Sequence, residues 1–132
     1  MPRPERIRVL LCNRHNLFSE GIKALFPDGT AIAIVGEATT AGQALIMMRQ
    51  LKPDVVLLDA TVSDLGASEA TRTFKAINPN VEVVLLSLAD DAPLISGCLD
   101  AGAAGYIGRE DGPKELEHAI SMAYSRRVLH AA

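Results

Sequence analysis

The stretch Pro53-Asp54-Val55-Val56-Leu57-Leu58-Asp59 constrains the fold more than any other. An unbroken apolar run from Val55 to Leu58 leaves no polar face, so a strand built from it is buried on both sides of a sheet. Such strands belong to parallel sheets with helices on both faces. The run follows a Pro-Asp break and ends on Asp59, which delivers a carboxylate to the strand's carboxyl edge. That edge is where open α/β sheets keep their ligand chemistry.

The rest of the chain keeps the same alternation. Residues 7–12 read as a first strand, followed by polar Asn13-Arg14-His15-Asn16 and a helical spacing of Leu17, Phe18, Ile22, Leu25 and Phe26. Pro27-Asp28-Gly29 ends that helix, and residues 31–35 form a second strand. Thr40-Ala41-Gly42-Gln43 is a capping box opening a helix with Leu45, Met48 and Leu51 inward, which stops before Pro53. After Asp59 a loop over 60–66 leads to a helix carrying Ala70, Phe74 and Ile77 and ending at Asn78-Pro79-Asn80. Residues 81–86 form a fourth strand that ends on Ser87, and Asp90-Asp91-Ala92-Pro93 opens a helix closed by Gly102. Residues 103–107 are a short fifth strand before Gly108-Arg109. Asp111-Gly112-Pro113 starts a last helix with Leu116, Ala119, Ile120 and Ala123 on one face. Five strands alternating with five helices predict an α/β fold, a parallel sheet covered on both sides by right-handed crossovers.

Composition narrows the function. A chain of 132 residues, 48% hydrophobic and 22% charged, suits one globular domain with a proper core. The net charge of -3 gives no footprint for nucleic acid; the dense cationic spots are short, at Arg3, Arg6 and Arg8 and at Arg126-Arg127. Cys12 and Cys98 stand in apolar patterns without a CxxC or a His/Cys cluster and read as small buried hydrophobes. His15, His118 and His130 show no ligand spacing, so no metal site is expected from them, and Met47, Met48 and Met122 read as core filler or helix-face residues. No membrane span and no signal peptide is visible, so a cytoplasmic location is expected. No Ser/His/Asp set, carboxylate pair or Gly-rich phosphate loop is present, so the chain is not expected to be an enzyme.

The groups just past the strand ends are Asn13, Arg14, Asp59, Ser87 and Arg109. They converge on one pocket if the first, third, fourth and fifth strands lie side by side. With His15-Asn16-Leu17-Phe18-Ser19-Glu20-Gly21, Val35-Gly36-Glu37-Ala38, Ala101-Gly102-Ala103-Ala104-Gly105-Tyr106 and Pro113-Lys114-Glu115-Leu116, the chain resembles a bacterial response-regulator receiver domain, CheY-like, over about residues 6–125. It resembles the branch that precedes a LuxR-type helix-turn-helix. The resemblance implies a flavodoxin-like (βα)5 doubly wound sheet of order 2-1-3-4-5. It also implies a receiver over 1–125, with 126–132 beginning a linker to a DNA-binding domain.

The same resemblance places Asp59 at the phosphoacceptor position, Ser87 at the switch hydroxyl and Tyr106 at the switch aromatic, where an interface role is also expected. Asn13 and Arg14 stand where receivers carry the acidic pair that binds Mg²⁺, and Arg109 stands at the lysine position. Val62-Ser63 and Ala67 depart from the family's loop, and Leu88 replaces a small residue after the switch hydroxyl.

Charge counting follows from these departures. One carboxylate, Asp59, faces two guanidiniums, Arg14 and Arg109, so the pocket is formally cationic where ordinary receivers are anionic. Mg²⁺ wants carboxylate oxygens, so it is expected to be excluded, and no cofactor is expected. Arg14 has the reach and planar fork for a bidentate pair with Asp59. The first expectation is an atypical pseudo-receiver that controls transcription through dimerisation, independently of phosphorylation. Two alternatives stand beside it: phosphorylation of Asp59 by a histidine kinase, and sensing of a small-molecule effector. DNA is expected as a partner only through a separate domain. Leu17, Ile22, Leu116, Ile120 and Ala123 are candidate homodimer residues on the first and last helices.

Overall fold

The computed structural model describes residues 6–27, 30–62, 64–108 and 110–131, with side chains described through residue 127. Strands β1 (Ile7–Cys12), β2 (Ile32–Ala38), β3 (Val55–Asp59), β4 (Glu82–Ser87) and β5 (Gly105–Gly108) alternate with helices α1 (Asn16–Leu25), α2 (Ala41–Leu51), α3 (Ala67–Ile77), α4 (Ala92–Asp100) and α5 (Pro113–Ala131). All strand pairs are parallel and the order is β2-β1-β3-β4-β5, the flavodoxin-like arrangement expected.

β3 is buried throughout, and its pleat divides its apolar residues between two cores. Val56 and Leu58 join Leu10, Met48, Ala70, Phe74 and Leu85 under α2, α3 and α4. Val55 and Leu57 join Val9, Ile22, Val84, Leu116 and Ile120 under α1 and α5. Both layers exclude water from the sheet, which is why this strand carries no polar residue before Asp59.

The helix ends are built from local chemistry. The Thr40 side chain accepts from Gln43 N at 3.1 Å, while Gln43 Oε1 reaches one residue further back than in a closed capping box and accepts from Thr39 N at 2.9 Å. Lys52 ends α2 in the left-handed region at φ 48°, and its N–H bonds the Met48 carbonyl before Pro53 forbids continuation. Asp91 caps α4 by accepting from Leu94 N at 3.1 Å.

Two strands differ from their expected bounds by more than one residue. β2 runs on to Ala38 because β1 continues to pair with it, with an irregularity between Val9 and Leu10 that leaves Val35 without a register partner. Gly36 allows this: a Cβ there would lie 2.6 Å from Leu51 Cδ1 and 2.8 Å from Met47 Cε. β5 starts later than expected, at Gly105 opposite Val84.

β4 carries a charge that its apolar run hides. Glu82 is buried, with Lys75 Nζ at 3.2 Å and Arg126 Nε at 3.5 Å. Arg127 Nη1 stands 3.4 Å from Asp54 Oδ1. The far end of α5 is thereby tied to the amino edge of the sheet, and α5 continues through 126–131 without a break.

Candidate functional site

The parallel register brings the expected groups to one edge. Asp59 pairs with Leu86 across β3 and β4, Ser87 with Gly108 across β4 and β5, and Cys12, next to Asn13, with Leu58. Every β1, β3, β4 and β5 end therefore opens on the same side of the sheet.

Asp59 is 9% exposed. Thr61, two residues on, holds it: Thr61 N donates to Oδ1 at 2.9 Å, and the Thr61 hydroxyl lies 2.9 Å from both carboxylate oxygens. Arg14 Nε donates to that hydroxyl at 3.3 Å. The expected bidentate pair is therefore corrected: among the described residues Arg14 forms no ion pair with Asp59, and its exposed guanidinium reaches the carboxylate through Thr61. The hydroxyl can stand between them because it accepts from the guanidinium while donating its single proton to the carboxylate.

Asn13 is buried, its Oδ1 accepting from His15 N at 3.1 Å while its Nδ2 has no hydrogen-bond partner among the described residues. Ser87 is buried and donates to the Ala89 carbonyl at 3.0 Å, within its own loop. Tyr106 is turned outward, 48% exposed. Arg109 lies outside the described residues. The Cys12 thiol is pushed up to about 12, by burial first and then by the Asp64 and Asp59 charges, and behaves as an inert apolar group.

Apolar residues close over the carboxylate. A cavity of about 200 Å³ is lined by Asn13, His15, Phe18, Asp59, Leu86 and Leu88. It adjoins a groove of about 690 Å³ between α1 and α5, into which His15, Phe18, Leu86 and Leu88 also face. Among the described residues no cluster of three or more His, Cys, Asp or Glu side chains is placed to hold a metal.

Four of the five dimer candidates need correction. Ile22, Leu116, Ile120 and Ala123 lie in the core beneath α1 and α5, because sheet packing uses the whole inner stripe of both helices. Leu17 alone of the five is exposed, at 89%. Sequence reasoning missed Thr61, whose only signal was a hydroxyl residue two positions after an aspartate, the spacing of an Asx turn. It also missed Asp64, which accepts from Ala41 N at 3.0 Å and Gly42 N at 2.9 Å and so ties the β3–α3 loop to the start of α2.

A family model described as response regulator receiver domain matches residues 9–121. The chain belongs to the response-regulator receiver family. It is 35% identical over 119 residues, 90% of the chain, to the response regulator GacA of Pseudomonas viridiflava, and equally to the response regulator UvrY of Escherichia coli K12. This receiver spans only 56% and 55% of those two curated relatives. A LuxR-family two-component response regulator from Aurantimonas superposes with a TM-score of 0.85 at 28% identity, over 93% of this chain and 88% of that one. The receiver domain of the response regulator NarL from Mycobacterium tuberculosis superposes with a TM-score of 0.85 at 26% identity, over 92% and 98%. The receiver is thus related to GacA, UvrY and LuxR-type regulators of two-component systems. Among the described residues no helix is long and apolar enough to cross a membrane.

Proposed function

We propose that this receiver is an atypical one, acting without Mg²⁺-dependent phosphorylation and controlling a transcription regulator through dimerisation. The observation that carries the reading is the hold of Thr61 on both oxygens of Asp59, backed by Arg14. A phosphoacceptor needs a carboxylate oxygen free for in-line attack and a metal to gather the transferring charge. Of the three residues in the acidic-pocket positions, Asp59 alone is anionic; Asn13 is an amide and Arg14 a cation. That donor set does not fit Mg²⁺, a hard ion that takes carboxylate oxygens in octahedral geometry. Signalling then rests on assembly and involves no turnover of a diffusible substrate. The receiver would work in the cytoplasm as the 1–125 unit of a longer regulator that meets DNA through a separate domain. Exposed Leu17, Leu25 and Met122 on the outer sides of α1 and α5, with Tyr106 on β5, are the residues through which two copies would meet.

The test is intact mass after incubation with acetyl phosphate and Mg²⁺, beside light scattering of the untreated protein. No phosphoryl adduct together with a dimer supports the reading. A single adduct that vanishes in Asp59→Asn overturns it and makes Asp59 a working phosphoacceptor, as the histidine-kinase alternative requires. In the variant Asn13→Asp/Arg14→Asp, Mg²⁺ binding is expected to return. A second reading, sensing of a small-molecule effector, is favoured by the continuity of the cavity beside Asp59 with the apolar α1–α5 groove. A thermal-shift screen with small metabolites separates it, since assembly alone needs no ligand.

A further inference from the structure

We propose that a recess at the amino edge of the sheet, opposite the Asp59 pocket, is a binding site for a soluble, multiply charged anion of the phosphate class. The recess, of about 530 Å³, is lined by Arg6, Arg8, Ala33, Asp54, Tyr124 and Arg127. Among the described residues three guanidiniums and one carboxylate line it, a formal excess of positive charge in a chain whose net charge is -3.

Asp54 offsets only one of the three positive charges. Its Oδ2 accepts from Arg8 N at 2.9 Å and its Oδ1 stands 3.4 Å from Arg127 Nη1, so both oxygens are already engaged. Arg6 is fixed by Nε on the Thr30 carbonyl at 2.7 Å and Nη2 on the Ile32 carbonyl at 3.0 Å, and Arg8 by Nη2 on the Leu51 carbonyl. Carbonyls orient these side chains without cancelling their charge. Arg127 Nε is itself buried and has no hydrogen-bond partner among the described residues, so the guanidinium meets the recess through its terminal nitrogens.

Guanidinium groups held at fixed angles suit tetrahedral phosphate oxygens, which accept two N–H bonds from one fork. The recess volume is that of a small-molecule site, larger than one phosphate needs. Tyr124 and Ala33 give it a less polar side, against which the organic part of a phosphate ester can lie. Because Arg127 sits in the last part of α5, occupancy would bear on how that helix end is held to the sheet.

The test is a titration followed by ¹⁵N NMR on the intact chain, without Mg²⁺, using pyrophosphate in one arm and ADP in the other. Saturable shifts at Arg6, Arg8, Tyr124 and Arg127, with Asn13 and Thr61 unmoved, are expected. Arg127→Gln is expected to weaken binding at least tenfold. Asp54→Asn, which removes the competing charge and keeps the side chain's shape, is expected to tighten it severalfold, an effect that damaged folding cannot produce. Tighter binding of ADP than of pyrophosphate assigns the Tyr124 side to an organic group; equal binding leaves the phosphate class standing on the arginines alone. Shifts that grow linearly, that sodium chloride of equal ionic strength reproduces, or that survive Arg127→Gln and Arg6→Gln unchanged would overturn the site.

Discussion

Replacing Lys75 by Met should cost this domain about 3 kcal/mol. The Lys75 ammonium donates to the Pro79 carbonyl at 2.9 Å, the Val81 carbonyl at 2.7 Å and Glu82 Oε1 at 3.2 Å, using all three of its protons. Met keeps the aliphatic stem and removes the charge. The Glu82 side chain is 2% exposed and would then face only Arg126 Nε, 3.5 Å away on a side chain 42% exposed. Removing one partner of a buried pair typically costs about 3–5 kcal/mol. Lys75 is itself 21% exposed and Arg126 stays in place, which points to the lower end. With a urea slope of about 2 kcal/mol/M, the unfolding midpoint should fall by about 1.5 M. In a Glu82→Leu background the buried charge is gone, and the same Lys75→Met change should cost only about 1–2 kcal/mol, from the lost bonds to the Pro79 and Val81 carbonyls. Equal losses in both backgrounds would show that Lys75 works through packing and carbonyl bonds alone, and would refute the reasoning.

Asp64 is held below the ordinary carboxylate value of 3.8, chiefly by the N–H groups of Ala41 and Gly42. Its contribution to stability is therefore present above that value and is lost as pH falls through the lowered one; Asp64→Asn should flatten the acid limb of a urea-midpoint profile between about pH 2 and 5. Cys12 and Cys98 are both fully buried and both raised by burial, so a thiol reagent at pH 8 should label neither within minutes until urea is added. Thr61→Val should cost about 1.5 kcal/mol by thermal unfolding, the low end for a hydrogen bond to a charged group because Thr61 is exposed. Gly36→Val should cost about 1–3 kcal/mol, since Leu51 and Met47 must move, and an unchanged melting temperature would contradict the close approach seen there.

What could be read from the residues was whatever is written locally. The unbroken apolar run into Asp59 required a strand buried on both faces, and the Thr40, Pro53, Asp91 and Gly102 signals marked helix ends that the backbone respects. Asn13 and Arg14 at the acidic-pocket positions told of altered charge before any geometry was known. Glu82 was hidden because its partners Lys75 and Arg126 come from α3 and α5, elements that meet only after the sheet has formed.

The order of elements and the carboxyl ends of β1, β3 and β4 were determined by sequence alone, since propensity and periodicity need no neighbours. Tertiary structure decided the rest. It turned Ile22, Leu116, Ile120 and Ala123 inward and left Leu17 in solvent, because a helix's buried stripe is set by how the helix docks on the sheet. It also gave the Asp59 carboxylate to Thr61 with Arg14 behind it, and drew Arg6, Arg8 and Arg127 around Asp54. Such pairings depend on distances between distant parts of the chain, and these exist only once the core has packed.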